Sequence, residues 1–195
     1  MTHHEKTPTE TIDVSAVEQA LDAVRAAVKN EDLGRWRRVF LTTAGAVAAT
    51  AVAGSLATDP GSRWYRTLRK PRFQPPAWLF PVAWTALYAD IAAVGALSIA
   101  DLGEKKQEKE KRAYIAALGT NLVLNAGWSI LFFHRKQLTA SSVESVLLTL
   151  SSADLVRRSA KVSPEKGAVL SPYAGWTAFA AVLTNTLRAL NRRRK

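Results

Sequence analysis

Residues 113–133, AYIAALGTNLVLNAGWSILFF, run for 21 positions without a charged side chain. The hydrocarbon of a bilayer is about 30 Å thick, and a helix rising ~1.5 Å per residue needs about 20 residues to cross it. A helix on a water-soluble domain keeps a polar stripe, which an uncharged run of this length lacks. The stretch therefore predicts a membrane-spanning helix. Residues 39–58 and 167–187 are likewise free of charge. Residues 78–100 carry one charge, Asp90, and residues 138–156 carry Glu144 and Asp154. The fold expected is all-α: an integral, multi-pass membrane bundle of five transmembrane helices at about 39–58, 78–100, 113–133, 138–156 and 167–187. Trp64, Tyr65, Trp78, Tyr114 and Tyr173 fall near the ends of these runs, where amphipathic rings anchor at the lipid–water interface.

The 195 residues hold 27 Lys and Arg against 16 Asp and Glu, giving a sequence pI near 10.3. Such a basic balance ordinarily raises nucleic acid as a partner. Here the basic residues sit in short clusters between apolar stretches, so they belong to loops and no nucleic-acid partner is expected. The absence of cysteine excludes a disulfide framework, a Cys-based zinc site, an iron–sulfur cluster and a thiol nucleophile. There is no Gly-rich phosphate loop, HExxH or GxSxG. His3 and His4 lie in a polar tail, and His134 closes the third stretch, where a cation complements the helix dipole. No metal site and no obligatory cofactor are expected.

Residues 1–34 form an N-terminal extension with three basic residues against seven acids, whereas residues 35–195 carry a net +15. Residues 1–12 read as disordered. Residues 13–31 read as an amphipathic helix outside the bundle, with Ser15 and Glu18 at capping-box spacing and Val14, Val17, Leu21, Val24 and Val28 on one stripe. It can lie on the membrane, pair with a copy of itself or pack on a loop. Its polar face is not rich in Lys and Arg, which favours protein packing. The first spanning stretch begins beyond residue 35 and is not read as a cleaved signal peptide. Its Gly45, Ala49, Ala53 and Ala57 recur every fourth residue, suiting close approach of another helix, within the monomer or across a dimer seam. Alternating the five helices puts 12 basic residues on each side, so the positive-inside rule does not orient the chain.

Residues 64–78, WYRTLRKPRFQPPAW, join the first two spanning stretches. Pro71, Pro75 and Pro76 stiffen the segment and block regular structure. Two roles suit a stiff, basic, aromatic loop there: covering a pocket, or anchoring at the interface. Within the helices, Trp84 and Tyr88 are four apart, Asn121, Asn125 and Trp128 follow i, i+4, i+7, and Trp176 and Ala180 are four apart. Each set shares a helix face. An Asn in hydrocarbon needs a partner, so these faces should turn inward, either to line a flat-walled cavity or to bond helix to helix. Asp90, Glu144 and Asp154 have no basic residue at mid-membrane to pair with, and Asp154 lies beside Arg157 and Arg158 at a helix end.

Four motifs carry a resemblance: WYxxLxKPxFxPPxW at 64–78, PxxWxxLY at 81–88, LNxxWxxxFF at 124–133 and PYxxWxxFA at 172–180. In this order they resemble the TspO/translocator protein family, also called the tryptophan-rich sensory protein or peripheral benzodiazepine receptor family. The resemblance covers roughly residues 39–191. It implies a five-helix membrane bundle, usually a homodimer, whose pocket takes porphyrin, haem or similar flat ligands and is capped by the first loop. It assigns Trp64 and Tyr65 to the cap, and Trp84, Tyr88, Asn125, Trp128, Trp176 and Ala180 to the pocket and its lining. It implies a sensor, carrier or scavenger, with light-dependent porphyrin degradation at Trp84 and Trp176 as an alternative activity. Proton-coupled transport and a ligand-free structural role stand as further alternatives. The chain departs from the family pattern at Ser129, where the family has Pro, and at Asn185, where the sterol motif of animal members needs Tyr. The sterol motif of the animal members is therefore incomplete in this chain. The partners implied are membrane lipid, a tetrapyrrole ligand and a second copy of the chain.

Overall fold

A computed structural model describes residues 14–192, with side chains described from Leu33 onward. The expected disordered tail, residues 1–12, and the apolar stripe of the helix at 13–31 lie outside the residues or side chains so described. The chain divides into two compact units between Arg38 and Val39. In the first unit the backbone is helical from Val14 onward. That helix, α1, is continuous over Val14–Ala57. No proline interrupts residues 30–40, and the lone Gly34 costs a helix only about 1 kcal/mol.

The second unit, Val39–Lys195, holds the bundle. A short helix α2, Arg63–Thr67, follows α1, with the Ser62 hydroxyl accepting from the Tyr65 amide. Next come α3, Leu79–Glu104, and α4, Glu108–Ser129, which ends in a π-helical turn at Ile130–His134. Helices α5, Leu138–Val162, and α6, Pro164–Asn191, complete the chain. Only Ser163 separates α5 from α6, with Pro164 opening the second helix, where its missing N–H costs nothing. The helices outrun the apolar stretches read from sequence because helical backbone continues past the hydrocarbon into the headgroup layer.

Apolar and polar side chains are arranged inside out relative to a water-soluble domain. Leu41, Leu56, Val123, Leu150 and Val182 point outward, whereas Thr43, Ser98, Asn121, Ser141, Ser152, Thr177 and Thr184 are buried. Lipid accepts the first set, and the second finds hydrogen bonds only inside the bundle. The protein is an integral membrane protein built as a helical bundle. Leu33–Ala57, Leu79–Glu104 and Glu108–His134 are each long and apolar enough to cross a membrane by length and composition. Helices α5 and α6 match them in length, but carry Ser141, Ser142, Glu144, Ser145, Ser152 and Ser159, and Thr177, Thr184 and Asn191, on buried faces.

Close packing comes from small residues. A Cβ on Gly167 would stand 2.5 Å from the Ala160 Cβ, so α5 and α6 touch nearly backbone to backbone. A Cβ on Gly95 would stand 3.3 Å from both Thr43 and Leu118, so α3 receives α1 and α4 at one point. The buried face of α1 is Thr43, Val47, Thr50 and Gly54. Its small stripe at Gly45, Ala49 and Ala53 is exposed, which removes packing within the monomer as the reason for that pattern.

Two apolar clusters fill the interior. One joins Ile91, Val94, Ile99, Tyr114, Leu118, Leu122, Leu155 and Leu170. The other lies under the α1–α3 connection and joins Leu68, Phe132, Leu183 and Leu187, with Trp64, Tyr65 and Trp128 against it. Tyr114 and Tyr173 are 1% and 0% exposed, which corrects their expected place in an interfacial belt. Each phenol instead finds polar partners on neighbouring helices.

Candidate functional site

The centre of the bundle holds a chain of hydrogen bonds that crosses four helices. The Tyr88 hydroxyl on α3 donates to Asn125 Oδ1 on α4 at 2.7 Å. Asn125 Nδ2 donates to the Tyr173 hydroxyl on α6 at 3.2 Å. That hydroxyl donates onward to Asn121 Oδ1 at 2.7 Å. Asn121 Nδ2 reaches Ser151 Oγ at 3.2 Å and Ser152 Oγ at 3.1 Å on α5. Asn121, Asn125 and Tyr173 each use both donor and acceptor capacity, and Tyr88 donates, which is how polar groups persist in hydrocarbon. The shared face of Asn121 and Asn125 therefore bonds helix to helix.

Aromatic rings gather on either side of this chain. Trp84 lies 5.4 Å from Tyr88 and 6.5 Å from Tyr173, and Trp176 lies 6.0 Å from Phe80 and 5.6 Å from Phe179. A second group is centred on Phe132, stacked on Trp128 at 5.0 Å and met edge-on by Trp64 at 5.6 Å and Tyr65 at 6.1 Å. The π-helical turn after α4 presents Phe132 and Phe133 together, 4.9 Å apart, to this group. Of the residues singled out in the sequence, Trp84 meets Tyr88 and Tyr88 meets Asn125, while Trp176 packs on the same apolar cluster as Trp84 and Tyr88. Trp128, Trp64 and Tyr65 meet at Phe132. Ala180 is half-buried on α6 one turn beyond Trp176, its carbonyl accepting from Thr184. Tyr173, Phe132 and Asn191 were not singled out as site residues. The i, i+3, i+7 spacing of Tyr173, Trp176 and Ala180 was the available signal for the first.

The connecting segment folds back over the second group. Trp64 and Tyr65 face inward, whereas Trp78 is 65% exposed, so one segment supplies both a cover and an interfacial ring. Asn191 at the end of α6 pins it: its Oδ1 accepts from the Arg69 amide and its Nδ2 donates to the Arg69 carbonyl, both at 3.0 Å. Gln74 Nε2 donates to the Tyr65 hydroxyl at 3.2 Å, and Lys70 Nζ stands 4.3 Å from that ring's centroid. Burial raises the Tyr65 phenol above its ordinary pKa, and the Gln74 hydrogen bond draws it partly back.

Among the described residues, the buried groups inside the bundle without a hydrogen-bond partner are the indole N–H groups of Trp128 and Trp176, both carboxyl oxygens of Glu144 and the hydroxyls of Ser98 and Ser142. Asp154, by contrast, is paired with Arg157 and Arg158. Among the described residues no cluster of His, Asp or Glu gathers that could hold a metal ion.

Fold and lining together define a polytopic membrane protein with an aromatic, hydrogen-bonded interior closed at one end by an ordered segment. Residues 41–190 match the model of the TspO/MBR family, and the chain belongs to that family. It is 35% identical over 148 residues to the tryptophan-rich protein TspO of Chlorobaculum tepidum, covering 75% of this chain and 92% of the relative. It is 33% identical to the translocator protein of Ovis aries, covering 63% and 72% of the two chains. It is 31% identical to protein CrtK of Rhodobacter capsulatus, covering 73% and 88%.

Proposed function

We propose that this protein binds a tetrapyrrole, porphyrin or haem, or a similarly flat apolar ligand within the membrane, and acts as a sensor, carrier or scavenger of it. The observation that carries the reading is the pair of buried, unpartnered indole N–H groups, Trp128 and Trp176, each set among flat aromatic rings. Buried donors are almost always satisfied in a resting structure, so donors left open in an aromatic lining point to an acceptor brought by a ligand. Ring faces suit a planar macrocycle, each aromatic contact adding about 0.5–1.5 kcal/mol beyond burial. Trp64, Tyr65, Trp84, Tyr88, Asn125, Trp128, Trp176 and Ala180 are the proposed contacts. Arg66, Arg69 and Lys70 on the covering segment suit the ligand's carboxylates. The homodimer expected from the resemblance belongs to the same proposal.

The test is a spectral titration of the purified protein with protoporphyrin and haem, with a sterol as comparator. Protoporphyrin should quench tryptophan fluorescence. Trp176→Phe should weaken the complex several-fold, as expected for loss of ~1 kcal/mol of contact, while leaving the bundle folded. Unaltered affinity and quenching in both Trp84→Phe and Trp176→Phe would refute a ligand between these helices. Illuminating the same samples separates binding from degradation, which predicts loss of porphyrin absorbance. Glu144 favours one second reading, proton-coupled transport, because its carboxyl group is buried without a partner. Uptake into vesicles that follows an imposed proton gradient and is lost in Glu144→Gln tests it.

A further inference from the structure

The end of the bundle that carries the covering segment also holds a cavity of about 540 Å³ on its flank, between α2, the start of α5 and the end of α6. Lys136, Arg188 and Arg192 line it, with Thr139, Trp64 and Asn191, and no carboxylate is among its lining residues. Among the described residues, none of the three cations takes part in an ion pair, and Arg188 Nε only reaches the Thr139 hydroxyl at 3.3 Å. The wider surface repeats the imbalance. Residues 59–78, 135–137 and 188–192 belong to this end and hold nine Lys and Arg against one acid, Asp59. Lys136 itself has a φ of 56°, a left-handed conformation that a non-glycine residue holds at a cost.

We infer that this cavity is a binding site for the phosphate of an anionic lipid headgroup. It lies at the polar ends of the spanning helices, at the depth where headgroup phosphates stand. Arg188 and Arg192 present guanidinium forks suited to phosphate oxygens, and Lys136 adds a point charge. The Trp64 indole places an amphipathic ring at the same level. A zwitterionic headgroup brings its own cation and is the poorer partner for three uncompensated positive charges.

The experiment titrates dioleoylphosphatidylglycerol and dioleoylphosphatidylcholine, separately, into the detergent-solubilised full chain and reads retained lipid by native mass spectrometry. Phosphatidylglycerol should be retained in strong preference. Arg188→Gln and Lys136→Gln should each weaken its retention about fivefold, the effect of one cation worth about 1 kcal/mol near an anionic surface. Arg63→Gln, a charge on the same end outside the cavity, should leave retention unchanged. Lys136→Gly carries a signature that a purely structural role does not: it relieves the left-handed backbone, so thermal stability should rise while phosphatidylglycerol retention falls. Equal loss in Arg63→Gln would overturn the site in favour of a diffuse surface field. Unchanged retention in both Lys136→Gln and Lys136→Gly would also overturn it, and these variants lie on an exposed turn where folding is not at stake. Displacement of the lipid by inorganic phosphate at equal concentration would overturn the lipid source in favour of a free anion.

Discussion

Replacing Tyr173 with Phe removes one oxygen atom from the middle of the buried hydrogen-bond chain and leaves the ring in place. The lost hydroxyl donates to Asn121 at 2.7 Å and accepts from Asn125 at 3.2 Å. Asn121 and Asn125 are 0% and 4% exposed, so no water replaces the missing partner. An interhelical hydrogen bond inside a membrane is worth about 0.6 kcal/mol on average and about 1.7 at most. Two bonds lost at one position therefore predict a destabilisation of about 1–3 kcal/mol. Tyr88→Phe removes a single bond, to Asn125 at 2.7 Å, and should cost about half as much. Reversible unfolding in mixed detergent micelles, followed by circular dichroism, measures both. A double-mutant cycle of Tyr173→Phe with Asn125→Ala should show coupling, because the two share a bond. Equal costs for Tyr173→Phe and Tyr88→Phe, with no coupling in the cycle, would refute the claim that this chain ties α3, α4, α5 and α6 together.

Other substitutions probe separate parts of the bundle. Glu144→Leu should raise stability in the same unfolding assay by about 1–3 kcal/mol, since it replaces a 7%-exposed carboxyl group that has no partner with an apolar side chain. Gly167→Ala should lower stability by about 1–3 kcal/mol, because the new methyl meets Ala160 at 2.5 Å and the two helices have to move apart. Asn191→Ala removes both hydrogen bonds to the Arg69 backbone, so trypsin should cut after Arg66 or Arg69 faster than in the parent chain, with the rest of the bundle intact.

The architecture was legible because hydrocarbon thickness sets helix length, and the uncharged runs announce that length directly. Helix ends were less so. Hydropathy follows the lipid, and α4 continues through Lys109, Lys111 and Arg112 where the lipid has stopped. The polar face of Asn121 and Asn125 was readable from spacing alone, but its partner was not. Tyr173 reads as an interfacial ring at the end of an apolar run, and only the register of α6 against α4 brings its hydroxyl to both amides. The covering segment showed its stiffness through three prolines. Its attachment depends on Asn191, which is distant in sequence and unremarkable in composition. The exposed stripe at Gly45, Ala49 and Ala53 makes the same point in reverse: spacing identified a smooth face, and only the packed bundle shows that it points outward.

The one-residue turn at Ser163 bears on how the chain enters the bilayer. Helix α5 on its own would bring Ser141, Ser142, Glu144, Ser145, Ser152 and Ser159 into lipid, and α6 would bring Thr177, Thr184 and Asn191. Side by side the two hide much of that polarity, and Gly167 lets them close against Ala160 from the first turn. With only Ser163 between them they form an antiparallel pair as soon as both have been synthesised. The insertion unit for the last part of this protein is therefore the hairpin and not the single helix. Entering together, α5 and α6 would close against α4 and α3, the helices already in the membrane.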